Sequence, residues 1–242
     1  MSNSETENGA YLARMRLDTG LQRQAHELFL KSCEYRYSYN FSWLGRPVIQ
    51  YPQDLMAMQE IIWRVKPDLI IETGVAHGGS LVFYASLLQL LDNAGEVLGI
   101  DIEIRSQNRR ALEDHPMFRR IHLMEGSSTD PKILGNVKRL ADGKRVIVVL
   151  DSNHTHDHVF AELNAYSPLV QCGGYLVVFD TVVADMPKAF FPDRPWGPSD
   201  NPKTAVHQFL GTNDRFVIDK EIETKLLLTV APDGYLLCVK DL

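Results

Sequence analysis

At 242 residues, 45% hydrophobic and 23% charged, the chain is long enough to bury the core of one α/β domain and too apolar to stay unfolded. A formal charge of −6 argues against a nucleic-acid backbone as main partner, since neutralising phosphates takes a concentrated Lys/Arg surface and the one basic string, "RSQNRR" at 105–110, reads as a solvated helix face. Cys33, Cys172 and Cys238 are odd in number and lack CxxC spacing, which speaks against a disulfide framework and for a reducing cytoplasm, while neither a signal-peptide core nor the roughly 18 apolar residues of a membrane span is found.

Residues 1 to about 10 read as disordered. From Leu21, "LQRQAHELFLKSCEY" carries apolar positions at helical spacing. Gly45, Pro47 and Pro52 then break the pattern into a loop, before Leu55, Met58, Ile61, Ile62 and Val65 line up on one helical face. Beyond it strand and helix signals alternate: "DLIIE" (68–72), a helix from Ser80 to about Leu91, "VLGID" (97–101), and a helix around 106–114. "IHLME" (121–125), a helix near 131–141, "RVIVVLD" (145–151), a helix near 157–170 and "YLVVFD" (175–180) follow. Five β-rich runs separated by helices predict a doubly wound, mostly parallel sheet. The stretch 181–202 holds five prolines and Trp196 and is expected to be an irregular lid. In the tail, Asp233-Gly234 between two apolar runs predicts a tight hairpin and an antiparallel addition to the sheet.

Ligands of open α/β sheets bind beyond the carboxyl ends of the strands. Here those ends carry Glu72, Asp101, the turn Gly126, Ser127, Ser128, then Asp151 and Asp180. The first strand runs into "ETGVAHGGS", where Gly74, Gly78 and Gly79 allow a tight turn with close backbone approach and Ser80 is placed to cap the next helix. The string is neither a P-loop nor GxGxxG. An acid ahead of the glycines repels a pyrophosphate and suits a cofactor with positive charge and an amino group, which S-adenosylmethionine has. Asp101 is placed to accept the ribose hydroxyls. His77 is read as a cofactor-side contact, and Asp151 is expected near the cofactor as well. Residues 1–52 then form an N-terminal helical segment for substrate or interface, and 53–242 a cofactor-binding catalytic domain.

The strings "YPQDLMAMQEIIWRVKPDLIIETGVAHGGSLVFYASLL", "VVLDSNHTHDHVFAELNAYSPLV" and "GGYLVVFDTVV" resemble the cephalosporin hydroxylase/rhamnosyl O-methyltransferase family of class I S-adenosylmethionine-dependent enzymes, over roughly residues 35–240. The resemblance implies that the glycine loop and Asp101 hold the methionine and ribose portions, with Gly126, Ser127 and Ser128 beside the adenine. It implies a Mg²⁺ site at Asp151 and at a carboxylate pair on the next strand, and a base three residues after the first Asp, at His154. Where such proteins read VEDT, this chain has Val178, Phe179, Asp180 and Thr181, so Asp180 is the one carboxylate of that pair.

Within "HTHDH" no standard zinc spacing occurs, and His156 and His158 are read as capping or surface groups. Tyr35, Tyr37, Tyr39, Trp43 and Gln50 suit either a glycoside or polycyclic acceptor or a subunit interface of a homo-oligomer. The leading expectation is O-methylation of a sugar, glycoside or natural-product hydroxyl. A non-catalytic cofactor-binding subunit and a nicotinamide oxidoreductase are the alternatives.

Overall fold

The computed structural model describes residues 3–242, with side chains from Glu7 onward. Two helices come first, α1 (Asn3–Leu17) and α2 (Thr19–Cys33), and between them the Asp18 carboxylate accepts the Leu21 N–H at 2.9 Å to cap α2. Residues 3–10, expected to be disordered, belong to α1; Met1 and Ser2 lie outside the described residues. Tertiary contact outweighs its weak apolar periodicity, because α1 packs on α2 and on the C-terminal helix at Lys220–Leu226.

The predicted loop before Pro52 contains a short antiparallel hairpin, β1 (Phe41–Trp43) and β2 (Arg46–Val48), turned by Leu44 and Gly45 at positive φ. Next, α3 (Pro52–Val65) begins with proline where the missing N–H costs nothing, and buries Ala57, Met58, Ile61 and Ile62. Its buried Asp54 accepts hydrogen bonds from the Thr229 hydroxyl (2.5 Å), the Tyr235 hydroxyl (2.7 Å) and the Val230 N–H (3.0 Å), fastening α3 to the C-terminal segment.

The alternation then follows as the hydrophobic pattern predicts: β3 (Leu69–Thr73), α4 (Gly79–Leu90), β4 (Glu96–Asp101), α5 (Ser106–Glu113), β5 (Ile121–Glu125), α6 (Pro131–Ala141), β6 (Val146–Leu150), α7 (His156–Tyr166) and β7 (Tyr175–Val178). After the irregular stretch come α8 (Pro202–Thr212), β8 (Phe216–Ile218), α9 (Lys220–Leu226) and β9 (Tyr235–Cys238). Seven strands form one sheet in the order β5-β4-β3-β6-β7-β9-β8, parallel from β5 to β7, with β9 antiparallel to both β7 and β8.

The antiparallel end matches expectation, but the tight hairpin at Asp233-Gly234 does not form. Asp219 caps α9 by accepting the Glu221 and Ile222 N–H groups, and that helix, inserted in the chain between β8 and β9, buries Ile222 and Leu226 in the core that holds α3 and α4. Asp233 and Gly234 instead lead the chain into β9, so close to β7 that a Cβ on Gly234 would lie 2.1 Å from the Val178 carbonyl oxygen.

Strand residues alternate between two cores. Ile70, Val97, Ile147, Val149 and Val177 join α3 and α4 on one face; Ile71, Leu98, Val148, Leu176 and Val178 join α6, α7 and α8 on the other. Chain order reverses between β3 and β6, which opens the crevice where ligands of such sheets sit. Among the described residues no helix is long and apolar enough to cross a membrane.

Candidate active site

Strand register decides which residues meet. Thr73 lies opposite Ile100 on one side and Leu150 on the other, and Leu150 opposite Val178. Gly74, Asp101, Asp151 and the residues after Val178 therefore leave the sheet side by side. They open on one cavity of about 890 Å³, which Asp101, His77, Asp151, His154 and Asp180 all line. That is ample for a nucleoside-sized cofactor with an acceptor beside it.

Close backbone contact shapes the glycine-loop end of the cavity. A Cβ on Gly74 (φ +91°) would lie 2.1 Å from the Asp151 carbonyl oxygen, and one on Gly79 equally close to the Pro47 carbonyl oxygen. Gly78 has φ +77° and presses on Leu112. Asp101 hangs on this loop, its Oδ2 accepting the Val75 N–H at 2.8 Å and the Ala76 N–H at 3.3 Å. From the hairpin, Arg46 donates to the His77 carbonyl, its Nε at 3.1 Å.

Glu72 sits differently. It is 1% exposed, does not line the cavity, and accepts the Ser80 hydroxyl at 2.5 Å and the Tyr84 hydroxyl at 3.0 Å. Burial pushes its carboxyl up to about 8. Ser80, expected to cap α4, spends its hydroxyl on this tether instead; Gly78 occupies the cap position without a side-chain bond.

Ser127 and Ser128 line the cavity after β5, and Ser128 Oγ lies 3.2 Å from His158 Nε2. His158, read from sequence as a capping or surface group, lines the cavity too. It reaches Ser152 Oγ at 3.2 Å and the buried Glu162 at 3.4 Å, and the bond to that carboxylate holds its pKa above the ordinary value. The available signal was the i,i+4 spacing of His158 and Glu162 on one face of α7. His156 does behave as a structural group: its ring bonds Thr204 and Gln208, both at 2.8 Å, and pins α7 to α8.

On the other side of Asp151 three donors converge. One atom each from Asp151, His154 and Asp180 lie within 4.8 Å of one another, with His154 Nε2 3.3 Å from Asp180 Oδ2. Asp180 takes a left-handed backbone conformation (φ 54°) directly after the phenylalanine that follows β7, a conformation aspartate tolerates better than most residues. Phe179 is 1% exposed and belongs to the core with Tyr175 and Val177, so the strand alternation aims it away from the cavity. Asp151 is half-buried at the head of the cavity, and desolvation, followed by the charges of Asp180, Glu72 and Glu162, pushes its carboxyl well above the usual range. The two carboxylates fit a hard divalent cation whose remaining places are filled by water or substrate oxygens, with the imidazole beside them.

Aromatic and apolar groups wall the opposite end. The stretch after Asp180 forms two short 3-10 turns, Thr181–Asp185 and Lys188–Phe190, and contributes Met186, Phe191 and Trp196 to the lining. The Trp196 ring meets the His154 ring edge-on at 4.8 Å, and the Arg194 guanidinium lies 5.1 Å over the indole. Of the N-terminal cluster, Tyr39 and Gln50 reach the cavity. Trp43 packs on Phe83 and donates its indole N–H to Ser86 at 2.9 Å, Tyr37 leans on Phe41 and Tyr51, and Tyr35 is exposed.

The family model for rhamnosyl O-methyltransferase/CmcI matches residues 35–239. The rhamnosyl O-methyltransferase of Mycobacterium tuberculosis (strain H37Rv) is 33% identical over 187 residues, which is 76% of this chain and 72% of that protein. That of Mycobacterium leprae is 30% identical over 199 residues, covering 81% and 82%. Among solved structures, CmcI with Mg and SAM superposes with a TM-score of 0.56 at 18% identity, over 83% of this chain and 77% of that one. MycE methyltransferase from the mycinamycin biosynthetic pathway, in complex with Mg, SAH and mycinamycin VI, gives 0.52 at 20% identity over 88% and 53%. At such identities the superpositions speak for the fold, while the match to the family model spans most of the sequence. The chain belongs to the rhamnosyl O-methyltransferase/CmcI family.

Proposed function

We propose that this S-adenosylmethionine-dependent O-methyltransferase methylates a hydroxyl of a sugar, glycoside or glycosylated natural product, with a divalent cation at Asp151 and Asp180 and with His154 as the base. The observation that carries the reading is the convergence of Asp151, His154 and Asp180 at the sheet edge, between the glycine loop on one side and the aromatic wall on the other. The names of the mycobacterial relatives support a sugar-bearing acceptor, and the mycinamycin VI of the MycE complex supports a natural product.

Bound here, S-adenosylmethionine supplies an activated methyl group, and Mg²⁺ would make the acceptor hydroxyl more acidic. The protein's share is placement and proton removal. Gly74 and Gly79 let backbone approach closely, Asp101 would accept the ribose hydroxyls, and Ser127 and Ser128 would meet the adenine. Holding the reacting atoms in line accounts for on the order of 7–11 kcal/mol of barrier. His154 then accepts the hydroxyl proton, and Asp180 beside its Nε2 stabilises the imidazolium that forms. Trp196 against the imidazole fixes the ring and keeps bulk water from it.

Calorimetry with S-adenosylmethionine, followed by methyl transfer to a panel of rhamnosides and other glycosides with and without EDTA, tests the proposal. Binding, product formation, and loss of rate on chelation restored by Mg²⁺ are expected. Absence of cofactor affinity removes the reading altogether; turnover indifferent to EDTA removes the cation from it.

A further inference from the structure

Gln50 follows the β1–β2 hairpin by two residues and is 4% exposed, yet it lines the cavity beside Asp151. Its amide Nε2 donates to Asp151 Oδ2 at 3.4 Å, a long bond, and its carbonyl Oε1 is buried with no hydrogen-bond partner. Among the described residues, four buried side-chain oxygens are left unpaired, on Gln50, Gln53, Thr73 and Glu162, and of these residues Gln50 alone lines the cavity. Folded proteins pair nearly all their buried polar atoms, so an orphan on a side chain that lines the cavity points to a partner that arrives with the cavity's contents.

The chemistry of that partner follows from the neighbours. Gln50 touches Asp151, whose neighbours His154 and Asp180 line the same cavity, and the two carboxylates suit a hard cation that takes six or more oxygens. Two carboxylates already balance a divalent charge, and the imidazole serves the proton step. A side-chain oxygen from Gln50 is a ligand that such a site can still accept.

We propose that Gln50 is part of the cation site, orienting Asp151 through its amide N–H and giving its carbonyl oxygen to the cation, directly or through one water. The assignment rests on the function proposed above and makes Gln50 a positioning residue of that reaction. It also gives the N-terminal segment a stake in the cation site, since Gln50 is held by the turn between β2 and α3.

The test is Mn²⁺ binding, followed by electron paramagnetic resonance on the full-length protein saturated with S-adenosylhomocysteine. Gln50→Ala should weaken Mn²⁺ about 10- to 100-fold, the usual effect of removing a group that orients a metal ligand. Gln50→Glu, which restores an oxygen at the same reach, should bind Mn²⁺ at least as tightly as the wild type. Affinity for S-adenosylhomocysteine, measured by calorimetry without metal, should be unchanged in both. Wild-type Mn²⁺ affinity in Gln50→Ala overturns the role of Gln50 while leaving the Asp151 and Asp180 site standing. A wild-type protein that takes up no Mn²⁺ overturns both. Should Gln50→Ala lose its S-adenosylhomocysteine affinity through misfolding, Gln50→Glu decides: weaker Mn²⁺ binding than the wild type overturns the proposal.

Discussion

His154 owes its position to two local decisions. Thr155 rather than His154 opens α7, so the imidazole stays on the loop after β6, and the left-handed turn at Asp180 places a carboxylate 3.3 Å from it. His154→Ala should therefore lower kcat by about 10²- to 10⁴-fold, the worth of a positioned base, with S-adenosylmethionine affinity by calorimetry unchanged; an unaltered kcat removes His154 from the proton step. Asp101, Asp151, Asp180 and His154 were legible in the sequence because each stands at or just past a strand end, and parallel register brings strand ends together. Gln50 was legible as a candidate acceptor contact but not as a neighbour of Asp151, and His158 was signalled only by its i,i+4 spacing from Glu162. One depends on how the N-terminal segment folds back over the sheet, the other on which face α7 turns inward.

The glycine loop works as a spacer between elements. Its dimensions are set by the Asp151 carbonyl behind Gly74 and the Pro47 carbonyl behind Gly79, so a methyl group has no room at either. Gly74→Ala adds a clash to an unfavourable φ and is expected to cost at least ~1–3 kcal/mol, read as a lower urea midpoint together with weaker cofactor binding. Gly135→Ala is the contrasting case. It lies inside α6 with nothing within 4 Å of a new Cβ, and should raise stability by up to ~1 kcal/mol. At this scale the strong hydrophobic periods of α3 through β7 matched the observed elements to within a few residues. The misses share a cause: α1, the β1–β2 hairpin and α9 have weak or short patterns of their own and exist because something distant packs on them. In α9 the apolar run Leu226–Val230 even divides its allegiance, its beginning closing the helix and its end bound to Asp54.

Two deeply buried acids tie the molecule's stability to pH. Glu72 stands under the glycine loop with its carboxyl raised to about 8, and Asp54 joins α3 to the C-terminal segment with its carboxyl raised to about 6. Each keeps its proton in the folded chain at a pH where the unfolded chain, near 4, has lost it. The unfolded state thus binds fewer protons across this range, and stability falls as pH rises, first through about 6 and then through about 8. Urea midpoints measured from pH 5 to pH 9 should decline accordingly, and Glu72→Gln, which keeps hydrogen-bonding capacity without the titration, should flatten the upper half of the decline. A wild-type curve that is flat or rising from pH 6 to 8 contradicts the picture. The doubly wound sheet itself was readable from alternation alone; that one of its strand-end acids lies beneath the loop rather than in the cavity required the packing of α4, whose Ser80 and Tyr84 claim the carboxylate.

The contact of the Pro47 carbonyl with Gly79 has a practical bearing on making hybrids of related enzymes. Residues 46–50 supply the carbonyl behind Gly79, the guanidinium that grips His77, and the amide beside Asp151, so they are matched to the recipient's own binding loop. Grafting a foreign N-terminus with the joint at Pro52 would replace all three at once. Placing the joint upstream of Phe41 leaves this matched set native while still exchanging the first two helices.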